Sequence, residues 1–323
     1  MRGSPRGGEV KEMERYQVDT MSRRELRGCY NRYAWAVLLL YPLSKCTILA
    51  ILMLERWLLP GQILDPAWMT LRNSLINAFA SYVPPTLLFL VLLRRFPRSE
   101  KLPVDRLGLW EFLFTMMLTL GLCYLLNLTT LGLIALMEKG VGMSALNRVA
   151  QQDNSTPLWN QVVFMVLLPP VCEELLFRRL LLDRLRVLGD VSAIVLSALA
   201  FALYHMNLFQ MLYAFGLGML FAVVVLLTGS IRDTILLHMC VNGMTVLNNA
   251  LGSEFFSLLY TLFLCLSAAV AVVFLATRRG SFQLEGGPLR LSARDKRRAC
   301  LRSGWFWLML LNGVLGSGVL IFR

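Results

Sequence analysis

The sequence predicts an all-α, polytopic transmembrane helical bundle of about eight or nine spans, in which one proline-kinked helix carries the candidate catalytic groups. Three observations lead there. Of the 323 residues, 57% are hydrophobic and 16% are charged, whereas a soluble domain carries about a quarter charged residues. The apolar residues fall into nine runs, several of them near the roughly 20 residues that cross a bilayer. Lysine and arginine, which give the chain its net charge of +12, lie between the runs. That is the flank pattern of membrane spans and not the basic face of a nucleic-acid binder, so no nucleic-acid partner is expected.

Residues 1–32 read as a polar cytosolic tail with no apolar core of a cleavable signal peptide. The runs follow at about 33–54, 73–93, 108–137, 157–177, 191–206, 209–228, 233–252, 256–277 and 304–322. They group into N-terminal spans (33–137), a core (157–252) and C-terminal spans with a basic loop at 278–302 (253–323). The tail, residues 94–106, 178–186, Arg232 and 278–302 hold 26 cations, against 5 on the alternate side, with Lys45 inside a span. By the positive-inside rule the N-terminus and the basic loops are cytosolic. The seven cysteines are odd in number and lack a C-x-x-C spacing, so they read as small buried hydrophobes. Cys172 has only acids beside it, which disfavours a thiolate nucleophile.

The chain is organised around Pro169-Pro170-Val171-Cys172-Glu173-Glu174-Leu175-Leu176-Phe177-Arg178. An acid near mid-membrane costs about 2.5–3.5 kcal/mol on insertion scales, so an ionisable group there points to function. Glu174 and Arg178 stand four apart, the helical spacing at which carboxylate and cation meet, which leaves Glu173 about 100° round the helix and free for chemistry. Pro169-Pro170 predicts a kink or restart, since proline removes a helix hydrogen bond. Only this helix reads as interrupted. A run from Val171 to Leu188 follows, then Gly189 as a C-cap, then a helix from Asp190 to His205. Glu173 and His205 each lie 16 residues from Gly189, so in an antiparallel pair both sit about 24 Å from the turn, level with one another. His238 and Asn242, one turn apart, can complete the cluster from a third helix. Phe201 reads as packing beneath the site, Asn248 as a link between helices, and Gly216-Leu217-Gly218 as a small-residue helix contact.

These residues resemble the CAAX protease and bacteriocin-processing (Abi/CAAX) family of intramembrane peptidases. The family's three motifs stand intact and in order, as Glu173-Glu174-x-x-x-Arg178, Phe201-x-x-x-His205 and His238-x-x-x-Asn242. The resemblance covers roughly residues 157–252. It implies a membrane endopeptidase with its site open to the cytosol, acting on a membrane-associated protein or peptide, and the expected location is a bacterial plasma membrane. Extra N-terminal spans and a span after residue 303 depart from the family pattern and leave the substrate open.

The reading that follows is peptide-bond hydrolysis. Glu173 takes a proton from water and returns it to the leaving amine. His205 holds that water, His238 and Asn242 donate to the oxyanion, and Glu174 with Arg178 holds the helix. The alternative chemistry uses Glu173, His205 and His238 as ligands of a zinc ion with water in the fourth place. Outside enzymes, the chain could be a proton-coupled transporter, for which paired interrupted helices would be expected, or a non-catalytic bacteriocin-immunity scaffold.

Overall fold

The computed structural model describes residues 21–60, 65–96, 99–141, 156–277 and 292–321. Most of the expected polar tail, the linker at 142–155 and the loop at 278–291 lie outside the described residues. The described chain forms ten helices: α1 (Arg23–Leu58), α2 (Pro66–Leu93), α3 (Leu109–Val141), α4 (Leu158–Leu188), α5 (Asp190–Tyr204), α6 (Leu208–Thr228), α7 (Ile231–Leu251), α8 (Glu254–Thr277), α9 (Ala293–Leu301) and α10 (Gly304–Ile321). The protein is an all-helical, multi-pass membrane bundle. Six helices (α1 to α4, α6 and α8) are long and apolar enough to cross a membrane, and α5 and α10 are shorter apolar helices. The expected span at 233–252 is α7, whose apolar character is cut by Arg232, Asp233 and His238.

Helix α1 starts ten residues before the expected span. Ser22 caps it reciprocally, its Oγ accepting from Glu25 N–H at 3.3 Å while Ser22 N–H donates to Glu25 Oε2 at 2.8 Å, so the polar segment before residue 33 is helical. Asp65 accepts from Ala67 N–H at 2.8 Å with Pro66 at the first helical position, which starts α2. Gly189 adopts φ 99° between α4 and α5, a conformation that favours glycine, and α5 begins at Asp190 as expected.

The proline pairs do not break their helices. Helix α4 runs from Leu158 to Leu188 with π-helical turns at Val162–Leu167 and Leu175–Leu182 on either side of the Glu173-Glu174 segment. The wider i→i+5 bonding carries the chain into Pro169-Pro170 without a restart, and such turns are frequent at functional sites. Helix α2 likewise contains Pro84 and Pro85, a second proline pair that the sequence reading passed over.

Helix α6 is central, packed on α5, α3, α7 and α10, while α8 lies on α3, and α1 on α2 and α10. Small residues let the backbones approach. A Cβ on Gly218 would lie 2.9 Å from Ala198 Cα of α5, and one on Gly121 would strike the Ser267 backbone of α8, the close approach expected of membrane helix pairs. Tyr33 ties α1 to α5 by donating to the Leu196 carbonyl at 2.7 Å. At one end of the bundle the basic segments meet. Arg184 donates to the Phe96 carbonyl at 2.8 Å and Arg186 to the Glu100 carbonyl at 2.7 Å. Asp105 N–H reaches the Thr228 carbonyl at 2.8 Å, and α9 is pinned to the start of α1 by Arg23–Asp295 at 3.0 Å. Arg178 does not belong with these loop cations, because it is 1% exposed within the bundle. Lys45 is exposed, with its Nζ 5.1 Å from the Tyr41 ring centroid, and Asn248 accepts from Ser257 Oγ of α8 at 3.2 Å.

Candidate active site

Glu174 and Arg178 form an ion pair, Nε to Oε2 3.2 Å, with both side chains fully buried. The four-residue spacing therefore pairs them even across the start of a π-helical turn. The guanidinium also lies 4.6 Å from the Phe201 ring centroid and 5.6 Å from that of Phe221, so aromatic faces from α5 and α6 take the place of water around the cation. Arg178 leaves Glu173 to other partners, as the spacing predicts, but Glu173 is not unattended.

Glu173, 6% exposed, accepts a hydrogen bond from Tyr82 Oη of α2 at 3.1 Å. Its Oε2 lies 3.9 Å from His238 Nε2, and Glu174 Oε1 lies 3.4 Å from His238 Nδ1. One imidazole from α7 thus stands between two adjacent carboxylates, one at each ring nitrogen. The His238 ring is wedged between Phe201 and Phe221, with centroids at 5.9 and 5.7 Å. His205 follows the last residue of α5, and its Nδ1 is 2.8 Å from the Phe201 carbonyl. A carbonyl only accepts, so Nδ1 carries the proton and, in the neutral ring, Nε2 presents a lone pair. The His205 ring stands edge-on to Phe201 at 4.8 Å. Phe201 is therefore the common floor of Arg178, His205 and His238. Among the described residues no hydrogen bond or ion pair joins His205 to Glu173, and it is His238 that meets the acid.

Asn242 Nδ2 donates to the Met165 carbonyl of α4 at 2.8 Å. In α-helical register that carbonyl would be served by the N–H of residue 169, and in π register by that of residue 170. Both are proline, which has no N–H. Asn242 supplies the missing donor from a neighbouring helix. The same device recurs at the other proline pair, where the α-helical donor to the Ser81 carbonyl would be Pro85 and Tyr204 Oη donates instead, at 2.8 Å. Backbone carbonyls within a membrane span must be satisfied inside the protein, so both proline pairs become sockets, which lock α5 against α2 and α7 against α4.

The conditional zinc set of Glu173, His205 and His238 is not assembled as a metal site. Among the described residues no group of three or more His, Cys, Asp or Glu side chains is placed to hold a metal ion. His238 Nε2 lies beside Glu173 Oε2 at 3.9 Å, but the free nitrogen of His205 belongs to a ring with no hydrogen bond or ion pair to Glu173 among the described residues.

Tyr82 is the site residue the sequence reading missed. It lies 91 positions before its partner and belongs to no motif. Its one signal is a hydroxyl aromatic beside a serine just ahead of a proline pair inside an apolar run.

Fold and site together define a polytopic helical membrane protein with a buried cluster of two carboxylates, an imidazole and a guanidinium, and a second, half-buried imidazole on the same phenylalanine. Residues 155–244 match the family model described as Type II CAAX prenyl endopeptidase Rce1-like. This stretch contains all three motifs, and over it the chain is similar to that family. A curated relative, the membrane-embedded CAAX protease MroQ of Staphylococcus aureus (strain USA300), is 28% identical over 100 residues. That alignment takes in 29% of this chain and 40% of the relative, so the chain matches about two-fifths of that protein's length. No solved structure matches the chain. Tyr82, Ser81 and the proline pair of α2 lie outside the matched region.

Proposed function

We propose that the protein is an intramembrane endopeptidase that hydrolyses a peptide bond in a membrane-associated protein or peptide. The observation that carries this is Glu173, an acid 6% exposed inside a membrane helix and held by Tyr82 on one oxygen and His238 beside the other, within a stretch that matches a peptidase family. Two oriented partners make it a positioned base and not a stray charge.

In the proposed reaction the Glu173 carboxylate takes a proton from a water as the water oxygen bonds to the scissile carbonyl carbon. The C–N bond then breaks and the proton passes to the departing amine, leaving a carboxylate and an amine as products. Tyr82 keeps the acceptor oxygen of Glu173 in place through its donated hydrogen bond. His205 offers Nε2 to orient the water, because its other nitrogen is committed to the Phe201 carbonyl. His238, set between the acids, presents N–H to the developing oxyanion. Asn242 acts first as a brace, since one of its two N–H groups is spent on Met165, and any oxyanion contact from it uses the second. Glu174 with Arg178 fixes the helix turn that aims Glu173. The N-terminus and the end where the basic segments gather face the cytosol in this reading.

The test is cleavage of membrane-anchored peptides by purified wild-type protein and Glu173→Gln in the same detergent. Gln keeps the size and most of the polarity of the acid and cannot take the proton, so turnover should vanish while folding and peptide capture persist. Cleavage by the variant at a rate close to wild type would sink the base assignment and the peptidase reading with it.

A further inference from the structure

At the end of the bundle where the basic segments meet, the starts of α1 and α10 border an open-sided cavity of about 450 Å³, lined by Arg27, Asn31, Arg302, Ser303, Trp305 and Leu308 among others. That is within the common range for small-ligand sites, roughly 300–1,000 Å³. Its polar half offers donors. Among the described residues neither the Arg27 nor the Arg302 guanidinium has an ion pair or hydrogen bond. The neighbouring acids are engaged elsewhere, Asp295 with Arg23 at 3.0 Å and Glu25 with the Ser22 cap. Asn31 Oδ1 accepts from Ser303 Oγ at 2.7 Å, and Ser303 Oγ in turn accepts from Phe306 N–H at 3.1 Å. The Asn31 amide N–H groups have no hydrogen bond among the described residues and remain available as donors. Two forked cations and an amide donor with no carboxylate facing them suit a phosphate.

The other half of the cavity is apolar and continues along the lipid face. Trp305 and Leu308 are 38% and 43% exposed, and Leu311 and Leu315, three and seven residues beyond Leu308, are exposed on the same stripe of α10 at 53% and 57%. The Trp35 and Trp305 rings pack at 4.2 Å, the amphipathic aromatic pair expected where headgroups meet acyl chains. A free phosphate would use the first half only, whereas a ligand with an anionic head and a hydrocarbon tail uses both.

We infer that this cavity is a binding site for an anionic glycerophospholipid, with its phosphate held by Arg27 and Arg302 and an acyl chain laid along Leu308, Leu311 and Leu315. Basic pockets between membrane helices on the side rich in Lys and Arg are known to take such headgroups. The inference does not depend on the peptidase reading, because it is measured by binding.

The experiment is native mass spectrometry of the full chain released from micelles doped with dioleoyl-phosphatidylglycerol or dioleoyl-phosphatidylcholine, backed by thermal unfolding in the same mixtures. Wild type should retain phosphatidylglycerol preferentially and unfold at a higher temperature with it. Arg27→Gln with Arg302→Gln should weaken retention roughly 30-fold, the scale of two basic residues at an anionic surface. Arg24→Gln with Arg298→Gln, which removes the same charge outside the cavity, should change it little. Arg27→Gln alone keeps the test open if the double variant misfolds, since that exposed side chain has no partner in the described fold to lose. Equal losses in both double variants would reduce the effect to surface charge and overturn the site. Equal retention of the two lipids would do so as well. Stabilisation by inorganic phosphate equal to that by phosphatidylglycerol would reveal a small-anion site and overturn the lipid assignment.

Discussion

Replacing Asn242 by alanine strands the Met165 carbonyl, and the structure specifies both the cost and the remedy. The carbonyl has lost both of its possible helix donors to Pro169 and Pro170, so Asn242 Nδ2 at 2.8 Å is its described donor. An unsatisfied buried acceptor costs about 1–3 kcal/mol. Measured interhelical bonds in membranes average about 0.6 and reach about 1.7 kcal/mol, because the unfolded helices find other partners. Since Met165 is partly exposed at 41%, the lower end of the first range applies, and Asn242→Ala should destabilise by about 1 kcal/mol, about fivefold in the unfolding equilibrium. Pro170→Ala returns an N–H in π register and Pro169→Ala returns one in α register. Either should cost little in the Asn242→Ala background and should there recover most of the loss. The assay is unfolding by SDS in mixed micelles for the four members of each double-mutant cycle, read by helical circular dichroism. A coupling energy near zero for both prolines would refute the argument that Asn242 serves the carbonyl they orphan. If Asn242 instead acts only in the transition state, it should lower turnover with no change in stability.

Three further outcomes are expected. Arg178→Ala should cost about 3–5 kcal/mol and sharply lower the yield of folded protein, because it leaves Glu174 as an uncompensated buried charge; adding Glu174→Gln should recover part of that yield in a size-exclusion assay, and no recovery would show that the loss is one of packing. Tyr82→Phe removes the hydroxyl at 3.1 Å from Glu173 and keeps the ring, so on a cleaved peptide kcat should fall about tenfold with KM nearly unchanged; equal loss in both would make Tyr82 a substrate contact. Single cysteines placed at residues 99–105 and 292–298 should react from the cytosolic side of sealed vesicles and one at residue 72 from the opposite side, with native Cys300 a slow reporter because burial pushes its thiol up to about 11. Labelling of both basic segments from outside would reverse the orientation.

The bundle and the motif residues of the candidate site were legible because they rest on local quantities. A membrane span is a sum of hydropathies over about 20 residues, so the segments at 209–228 and 256–277 match helices α6 and α8 closely, and the segment at 73–93 ends where α2 ends although that helix already begins at Pro66. Glu174 with Arg178 is a helix-local pair, and Gly189 is a turn that needs only its own backbone freedom. What the sequence by itself determined was therefore which apolar helices exist and which of them carry polar groups that lipid would not tolerate, whereas the short polar helix α9 lies within the segment 278–302 that reads as a loop. What only the tertiary structure decided is how each helix is turned about its axis. That rotation is set by where glycine and alanine let backbones touch, as at Gly218 against Ala198 and Gly121 against Ser267, and hydropathy along one chain does not encode it. It brings Tyr82 to Glu173 across 91 residues and puts His238, not His205, against the carboxylates. It also sets Asn242 and Tyr204 opposite carbonyls that two proline pairs had left without donors. Every one of these is a contact between side chains on different helices, and a difference of one residue in facing, about 100° of helix rotation, would abolish it.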